Sequence, residues 1–427
     1  MVINMGKQRV VLLSLAFALL SVTGCGTGAG KGENSEVPEI LNDVKFGEKD
    51  YEHVVSAVNE LGFKLVAEVE ADENNNTFIS PMSLFMALSM VYNGADGVTK
   101  EEIAKMLQIE GIDVNELNKA NASMLSMLDK EKNQIQLDVA NSIWLNENYH
   151  FQKDFAEHNK GYFNAEIEEL DITNIESPKR INDWVKKSTN DKIEEIVDSP
   201  LDSNLVAILI NAIYFKGNWA YEFDEKATED RAFKLEDGTT KDVPLMVLNE
   251  SLAYMENEDF QAVTLPYGDG DGEMSMKVFL PRENVSLDEF KKTVTDENWT
   301  LWNSEFNFKK GMIMLPKFQL EYEVLLNEAL KRLGLNSAFD EGANFTKMIK
   351  EEDPVWISGV KQKTYIDVNE EGTESAAVTS ATMETTSMVI DESFEMEVNR
   401  PFFFTITDDA SDTILFMGSI SNPQNGK

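Results

Sequence analysis

Glu370-Glu371-Gly372-Thr373-Glu374-Ser375-Ala376-Ala377-Val378-Thr379-Ser380-Ala381-Thr382 is the stretch from which the fold is read. It holds no proline and one glycine, near its start. Beyond Glu374 every residue up to Met383 is small or β-branched. Val and Thr favour a pleated backbone. At a period of two, Thr373, Ser375, Ala377, Thr379, Ala381 and Met383 share one face, while Glu374, Ala376, Val378, Ser380, Thr382 and Glu384 share the other. The first face carries no charge, and the second carries Glu at both ends. Such a segment can join a sheet with its uncharged side inward. Composition alone reads it equally as a polar surface loop, so the rest of the chain has to decide.

The chain has 427 residues, 42% of them hydrophobic, with 6 Trp and 24 Phe. That supports a large core, in one big domain or two ordinary ones. The formal charge of −38 repels phosphate backbones, which argues against nucleic acid as a partner. Residues 1–24 read as a targeting segment: Lys7 and Arg9 are followed by an apolar run from Val10 to Val22, too short to span a bilayer comfortably. Val22-Thr23-Gly24-Cys25 then resembles a bacterial lipoprotein signal, whose cysteine is lipidated and becomes the new N-terminus. Cys25 is the only cysteine, so no internal disulfide forms and the fold relies on its core. The expected organisation is a signal at 1–24, a lipidated Cys25 with a Gly/Glu/Ser/Asn/Asp-rich tether at 25–45, and one globular domain at 46–427.

Within that domain, apolar spacing predicts a helix over Tyr51–Glu70. Asn76-Thr77-Phe78-Ile79-Ser80-Pro81 breaks the pattern, and a second helix follows over Ser83–Tyr92, closed by Asn93-Gly94. The nearly continuous apolar run Leu205–Phe215 predicts a strand buried on both faces. Ser275–Pro281 predicts another strand after a turn at 268–272. Glu323–Leu333 reads as an amphipathic helix stopped by Gly334. Phe402–Thr407 and Thr413–Gly418 read as two C-terminal strands. Helices dominate early and strands late, with no repeats, and the class is one α+β domain.

Catalytic constellations are scarce. The three histidines, His53, His150 and His158, show no metal-ligand spacing. There is no Gly-x-Ser-x-Gly elbow and no glycine-rich phosphate loop. Asp269, Asp271 and Glu273 do not make a full calcium loop and read as a hairpin turn. No metal, no cofactor and no enzymatic activity are expected.

Six motifs in order then resemble the serpins, over roughly Asp50 to Pro423. They are Asn76-Thr77-Phe78-Ile79-Ser80-Pro81-Met82-Ser83; Asn211-Ala212-Ile213-Tyr214-Phe215-Lys216-Gly217-Asn218-Trp219; Leu315-Pro316-Lys317-Phe318 ahead of Leu333-Gly334-Leu335; Glu370-Glu371-Gly372-Thr373-Glu374; Arg400-Pro401-Phe402-Phe403; and Phe416-Met417-Gly418 with Asn422-Pro423. Each is weak by itself, and the ordered set is specific. The resemblance implies three β-sheets, eight to nine helices and an exposed reactive loop. It places Ser80, Ser83 and Asn211 in the shutter, where the central strands part, and Trp219 in the breach, where a loop would first enter. It pairs Lys317 with Glu370 above that opening, an interaction expected to contribute about 0–1 kcal/mol. It makes Glu370, Glu371, Gly372, Thr373, Glu374, Ser375, Ala376 and Ala377 the hinge of the loop. Family members often carry a histidine in the shutter where this chain has Gln362. An amide can supply the hydrogen bonds of a neutral imidazole but takes up no proton.

The function implied is inhibition of a serine protease as a suicide substrate. The protease attacks the loop, and the segment from Thr373 inserts into the central sheet. The hinge lacks the bulky, charged or proline residues that non-inhibitory members tend to carry. A non-inhibitory serpin and a surface-binding lipoprotein are the alternatives. Counting from Glu370 by the usual family interval places the scissile bond at Thr386–Ser387. The span from Gly372 to Pro401 is longer than in common members, so counting back from Pro401 gives Ile390 instead, with Met388 between. No Arg or Lys stands near these positions. The expected target is therefore elastase- or subtilisin-like rather than trypsin-like. The expected protein is a monomer, lipid-anchored through Cys25 on the extracellular side of a bacterial envelope.

Overall fold

The fold is described by a computed structural model covering residues 44–128, 135–269, 274–352, 354–373 and 393–424. After a 3-10 turn at Asp50–His53 come α1 (Val55–Val66), β1 (Thr77–Ile79), α2 (Pro81–Gly94), α3 (Gly97–Met106) and α4 (Val114–Leu128). Next are β2 (Ile135–Asn146), α5 (Lys153–Phe163), β3 (Glu166–Leu170), α6 (Ser177–Ser188) and β4 (Ala207–Asn218). The middle of the chain forms β5 (Glu229–Lys234), β6 (Thr240–Glu256), β7 (Phe260–Pro266), β8 (Met274–Pro281), α7 (Leu287–Thr293), α8 (Asp296–Glu305) and β9 (Asn307–Pro316). The last third holds β10 (Phe318–Leu325), α9 (Asn327–Arg332), β11 (Ile357–Val368), β12 (Gly372–Thr373), β13 (Phe394–Glu397), β14 (Phe402–Asp408) and β15 (Thr413–Ile420).

One sheet has the order β10-β11-β12-β4-β2-β3. The other ladders run β1-β15-β14-β8-β7 and, through the 17-residue β6, on to β9 and β13, with β5 also on β6. Because β6 serves two neighbourhoods, the second and third sheets of the expected three are continuous through it. Nine α-helices lie among the described residues, and the class is α+β as the resemblance implies.

The buried run Leu205–Phe215 becomes β4, and its two faces feed different cores. Leu209, Ile213 and Phe215 enter the main core, while Ile208, Ile210, Ala212 and Tyr214 pack with Ile181 and Val185 of α6. Each such side chain removed from water contributes about 1.5–3 kcal/mol. Helix α2 is buried almost all round, from Pro81 to Tyr92. It starts where Ser80 caps it, the Ser80 hydroxyl accepting from the Ser83 N–H at 3.2 Å.

Three local expectations change. The Tyr51–Glu70 helix is shorter, Val55–Val66, behind a separate 3-10 turn. The segment read only as a break holds β1, whose Phe78 pairs with Gly418 of β15. The Glu323–Leu333 helix is mostly strand at its start: Glu323 and Leu325 lie in β10, paired with Lys363 and Lys361. Only Asn327–Arg332 is helical, ending before Gly334, whose φ of 104° suits glycine. The apolar spacing there fits a period of two as well as one of 3.6, and pairing with β11 decided between them.

Candidate functional site at the opening of the central sheet

Strands β4 and β11 run parallel and pair directly from Ile357↔Ala207 to Tyr365↔Tyr214. Above that zone they separate, and β12 lies between them. Gly372 pairs with Asn218, and Thr373 with Gly217 on one side and Val368 on the other. Gly372 and Thr373 of the hinge thus occupy an antiparallel position inside a sheet that is closed below them.

A ribbon of amides holds the closed part. Asn141 on β2, Asn211 on β4 and Gln362 on β11 are opposite one another in register. The Asn211 Nδ2 donates to Asn141 Oδ1 at 2.7 Å and to the Ser83 hydroxyl. Gln362 Nε2 donates to Asn211 Oδ1 at 2.7 Å and to the Ser80 carbonyl at 3.1 Å, while its Oε1 accepts from the Ser80 N–H at 3.0 Å. Thr364, two residues on and on the same face, donates to the Phe78 carbonyl at 2.6 Å. All of these side chains are buried. In such a dry setting each bond matters more than in water. Gln362 replaces the family histidine with three bonds, where a neutral imidazole offers one donor and one acceptor. Ser80, Ser83, Asn211 and Gln362 are therefore brought together. Asn141 was not anticipated; its only signal is a polar residue inside the strand run Val139-Ala140-Asn141-Ser142-Ile143.

The upper end is built around aromatic rings. Trp219 stacks on Tyr267 with centroids 4.5 Å apart, and Phe215 meets the same Tyr267 edge-on at 5.1 Å. Tyr267 shares a hydrogen bond of 2.8 Å with the Thr373 hydroxyl. Burial pushes the Tyr267 phenol far above its ordinary value, outweighing that bond, so it is neutral at any physiological pH. The Trp219 indole N–H donates to the Asn369 carbonyl at 2.9 Å. Asn369 in turn closes the connection from β11 to β12. Its Oδ1 accepts from the Glu371 and Gly372 N–H groups at 3.1 and 3.2 Å. A Cβ on Gly372 would sit 2.6 Å from the Asn218 Cα and closer still to the Gly217 carbonyl oxygen, so only glycine fits.

Lys317 Nζ meets Glu370 Oε2 at 2.8 Å, and Thr228 donates to the other Glu370 oxygen at 3.0 Å. The Glu370 side chain is 10% exposed and that of Lys317 42%, so the pair is less open than the resemblance suggested. Burial raises the Glu370 pKa, but the bonds from Lys317, its own N–H and Thr228 together outweigh it and leave it lowered. Glu371 Oε2 is buried without a partner among the described residues. Sequence reasoning missed Tyr267, Asn369 and Thr228, since contacts over such separations leave no local pattern.

Glu374, Ser375, Ala376 and Ala377, the candidate scissile residues Thr386, Ser387, Met388 and Ile390, and Cys25 lie outside the described residues. The histidines lie elsewhere: His150 bonds Glu351 at 2.8 Å and His158 contacts the Tyr162 ring.

A family model described as "Serpin (serine protease inhibitor)" matches residues 56–423. Serpin B8 of Homo sapiens is 35% identical over 84% of this chain and 96% of its own length. The leukocyte elastase inhibitor of Equus caballus is 32% identical over 83% of this chain and 95% of its own. Among solved structures, the native state of the thermophilic serpin tengpin superposes with a TM-score of 0.80 at 30% identity, covering 90% of this chain and 96% of tengpin.

Proposed function

This chain belongs to the serpin family, and on that premise we propose that it inhibits a serine protease as a suicide substrate. The observation that carries the reading is β12, which already stands as the start of an antiparallel strand between the parallel strands β4 and β11. Parallel pairing is slightly weaker per residue than antiparallel. Extending β12 downward replaces one parallel ladder by two antiparallel ones. Loop insertion of this kind is an established mode of strand addition in serpins. At about 0.5–1.5 kcal/mol per net hydrogen bond, a dozen or so inserted residues release on the order of 10 kcal/mol. That energy drags the acylated protease with the loop and deforms it.

The cost is local. Insertion separates β4 from β11 by about 4.8 Å, one strand spacing, and so breaks the Gln362–Asn211 bond. Attack falls at Thr386–Ser387. The absence of Arg and Lys there selects an elastase- or subtilisin-like protease. A relative named for inhibiting leukocyte elastase supports that class. Cys25 carries lipid, and residues 25–45 hold the monomeric domain on the outer side of a bacterial envelope.

Incubation with pancreatic elastase and with subtilisin tests the proposal. Inhibition requires an SDS-stable complex and a released peptide beginning at Ser387 by mass spectrometry. Clipping of the loop by both enzymes without any complex would overturn it. Thr373→Arg puts a charge where β12 must be buried, so it should abolish complex formation while leaving any surface-binding activity intact. Mass analysis of the protein extracted from membranes checks the lipid on Cys25.

A further inference from the structure

Taking the loop as protease bait, as proposed above, we infer that the exposed face of β9 around Phe308 is a second docking surface for the attacking protease. It fits an apolar patch on the rim of that enzyme's cleft. Phe308 is 81% exposed, more than any other large hydrophobic side chain among the described residues. A single exposed ring is ordinary, so its surroundings decide. Phe308 pairs with Ala253 of β6, Lys310 with Ser251, and Met312 with Asn249 of β6 and Glu395 of β13. At a period of two these side chains share one face. Ala253 and Met312 are only half-buried on it, so the apolar surface does not end with the ring. Lys310 and Glu395 stand diagonally on the same face and give it a charged rim, the make-up of a protein-binding patch. The opposite face fixes the backbone beneath. Tyr254 of β6 stacks on Phe394 of β13 with centroids 4.3 Å apart, and Lys309 Nζ lies 5.6 Å from the Tyr254 ring centre. A ring held on such a support loses little freedom on binding.

Position names the occupant. The chain that carries the bait returns to the described fold at Ser393 and enters β13 at Phe394, which pairs with Gly311 of β9. Strands β13 and β9 are parallel, so the end of β9 that carries Phe308 is the end at which the loop arrives. Phe308 stands three positions before Gly311, about 10 Å along the strand. Ser387 and Ser393 are six positions apart, which at about 3.6 Å each allows no more than about 22 Å. A compact enzyme of about 250 residues has a radius of gyration of about 18 Å, so its body is wider than that tether is long. Attack at Thr386–Ser387 therefore brings the enzyme's surface over the start of β13, where Phe308 projects. Attack nearer Ile390 shortens the tether and brings it closer still.

Second-order rate constants for attack on the full chain by pancreatic elastase and by subtilisin test this, whether attack ends in an SDS-stable complex or in clipping. For the faster of the two enzymes, Phe308→Ala should lower the constant about fivefold or more, the loss expected of a central aromatic anchor. Phe308→Leu should restore part of it. Leu325→Ala should change nothing, because Leu325 is likewise apolar and 56% exposed but lies at the far end of β10 from β12. The stoichiometry of inhibition should match the parent's, since β9 is not in the sheet that opens. Clipping without complex would defeat the inhibitory reading alone, and slower clipping of Phe308→Ala would still uphold the surface. An unchanged constant overturns the surface, and so does a changed stoichiometry, which would place the effect in insertion. A parent dimer in sedimentation that Phe308→Ala dissociates would also overturn it, by giving the face to a second copy.

Discussion

Gln362 exchanges three hydrogen bonds with Ser80 and Asn211, where an ionisable ring would exchange fewer. Its amide does not titrate, so the closed sheet should be insensitive to pH near neutrality. Gln362→His should change that. The ring would have to accept from the Ser80 N–H, and a proton on that nitrogen sets donor against donor. The folded-state pKa of such a histidine falls below its unfolded value of about 6.5. Its stability contribution is then full above about pH 6.5 and is lost as pH falls below it. Thermal unfolding from pH 8 to 5.5 should be flat for the parent and decline for the variant; parallel profiles would refute the role given to Gln362. Glu370 titrates lower. Its pKa is depressed, so its contribution is present above its ordinary value of 4.5 and disappears as pH falls through the folded value. Protection of the Gly372 and Thr373 amides, corrected for the intrinsic exchange rate, should therefore fall as the pH drops below the ordinary Glu value and Glu370 takes up its proton. Glu370→Gln should be less protected than the parent near neutrality, by the equivalent of about 1 kcal/mol, and should converge with it in acid because the variant lacks that acid dependence. Lys317 and Glu370 were legible in the sequence because each sits in a short motif, and Gln362 because it stands at the position where family members often carry a histidine. Tyr267 and Asn369 were not, because nothing local marks a tyrosine as the partner of a threonine over a hundred positions away.

At the scale of elements, β11 is the strand that the proposed insertion would move away from β4. Besides its pairing with β4, it is fastened outward by two lysines. Lys361 Nζ donates to the Ile196 carbonyl at 2.6 Å and lies 2.5 Å from Glu323. Lys363 Nζ donates to the Glu195 carbonyl at 2.6 Å and lies 2.6 Å from Glu321. Both carbonyls belong to the connection between α6 and β4, so these bonds tie β11 to chain that leads into the neighbouring strand. Lys361→Met with Lys363→Met keeps the apolar stems and removes the ties, each worth about 1 kcal/mol. The double variant should take up a synthetic Thr373–Met383 peptide several-fold faster; an unchanged rate would show that these bonds do not restrain opening. Gly372→Val tests β12 itself. Its Cβ meets the Gly217 and Asn218 backbone, so β12 should leave its position and its amides lose protection, with the global transition little changed. The β10–α9 boundary teaches the same lesson from the other side: Leu320, Tyr322 and Val324 alternate as a strand beside β11, which continues through Glu323–Leu325, where the sequence was read as helix.

For the whole molecule, the closed sheet with β12 poised above it predicts a cleaved form more stable than the intact one. Cleavage of the loop by a protease that escapes should raise the thermal midpoint by more than about 10 °C, given the order of 10 kcal/mol available from two antiparallel ladders. A cleaved protein with an unchanged midpoint would mean the strand does not insert. The sequence by itself determined what the loop can be. Its small, β-branched, proline-free residues permit a strand, and the apolar run of β4 demands burial on both faces. Ordered motifs over most of the chain carried the family. Those properties are local, arising from side-chain size, period and backbone preference. Only the tertiary structure decided that Asn141, Asn211 and Gln362 align across three strands and that Tyr267 receives Thr373. Register and long-range pairing place those groups together, and both are set by the joint packing of elements distant in sequence, whose energies no single segment contains.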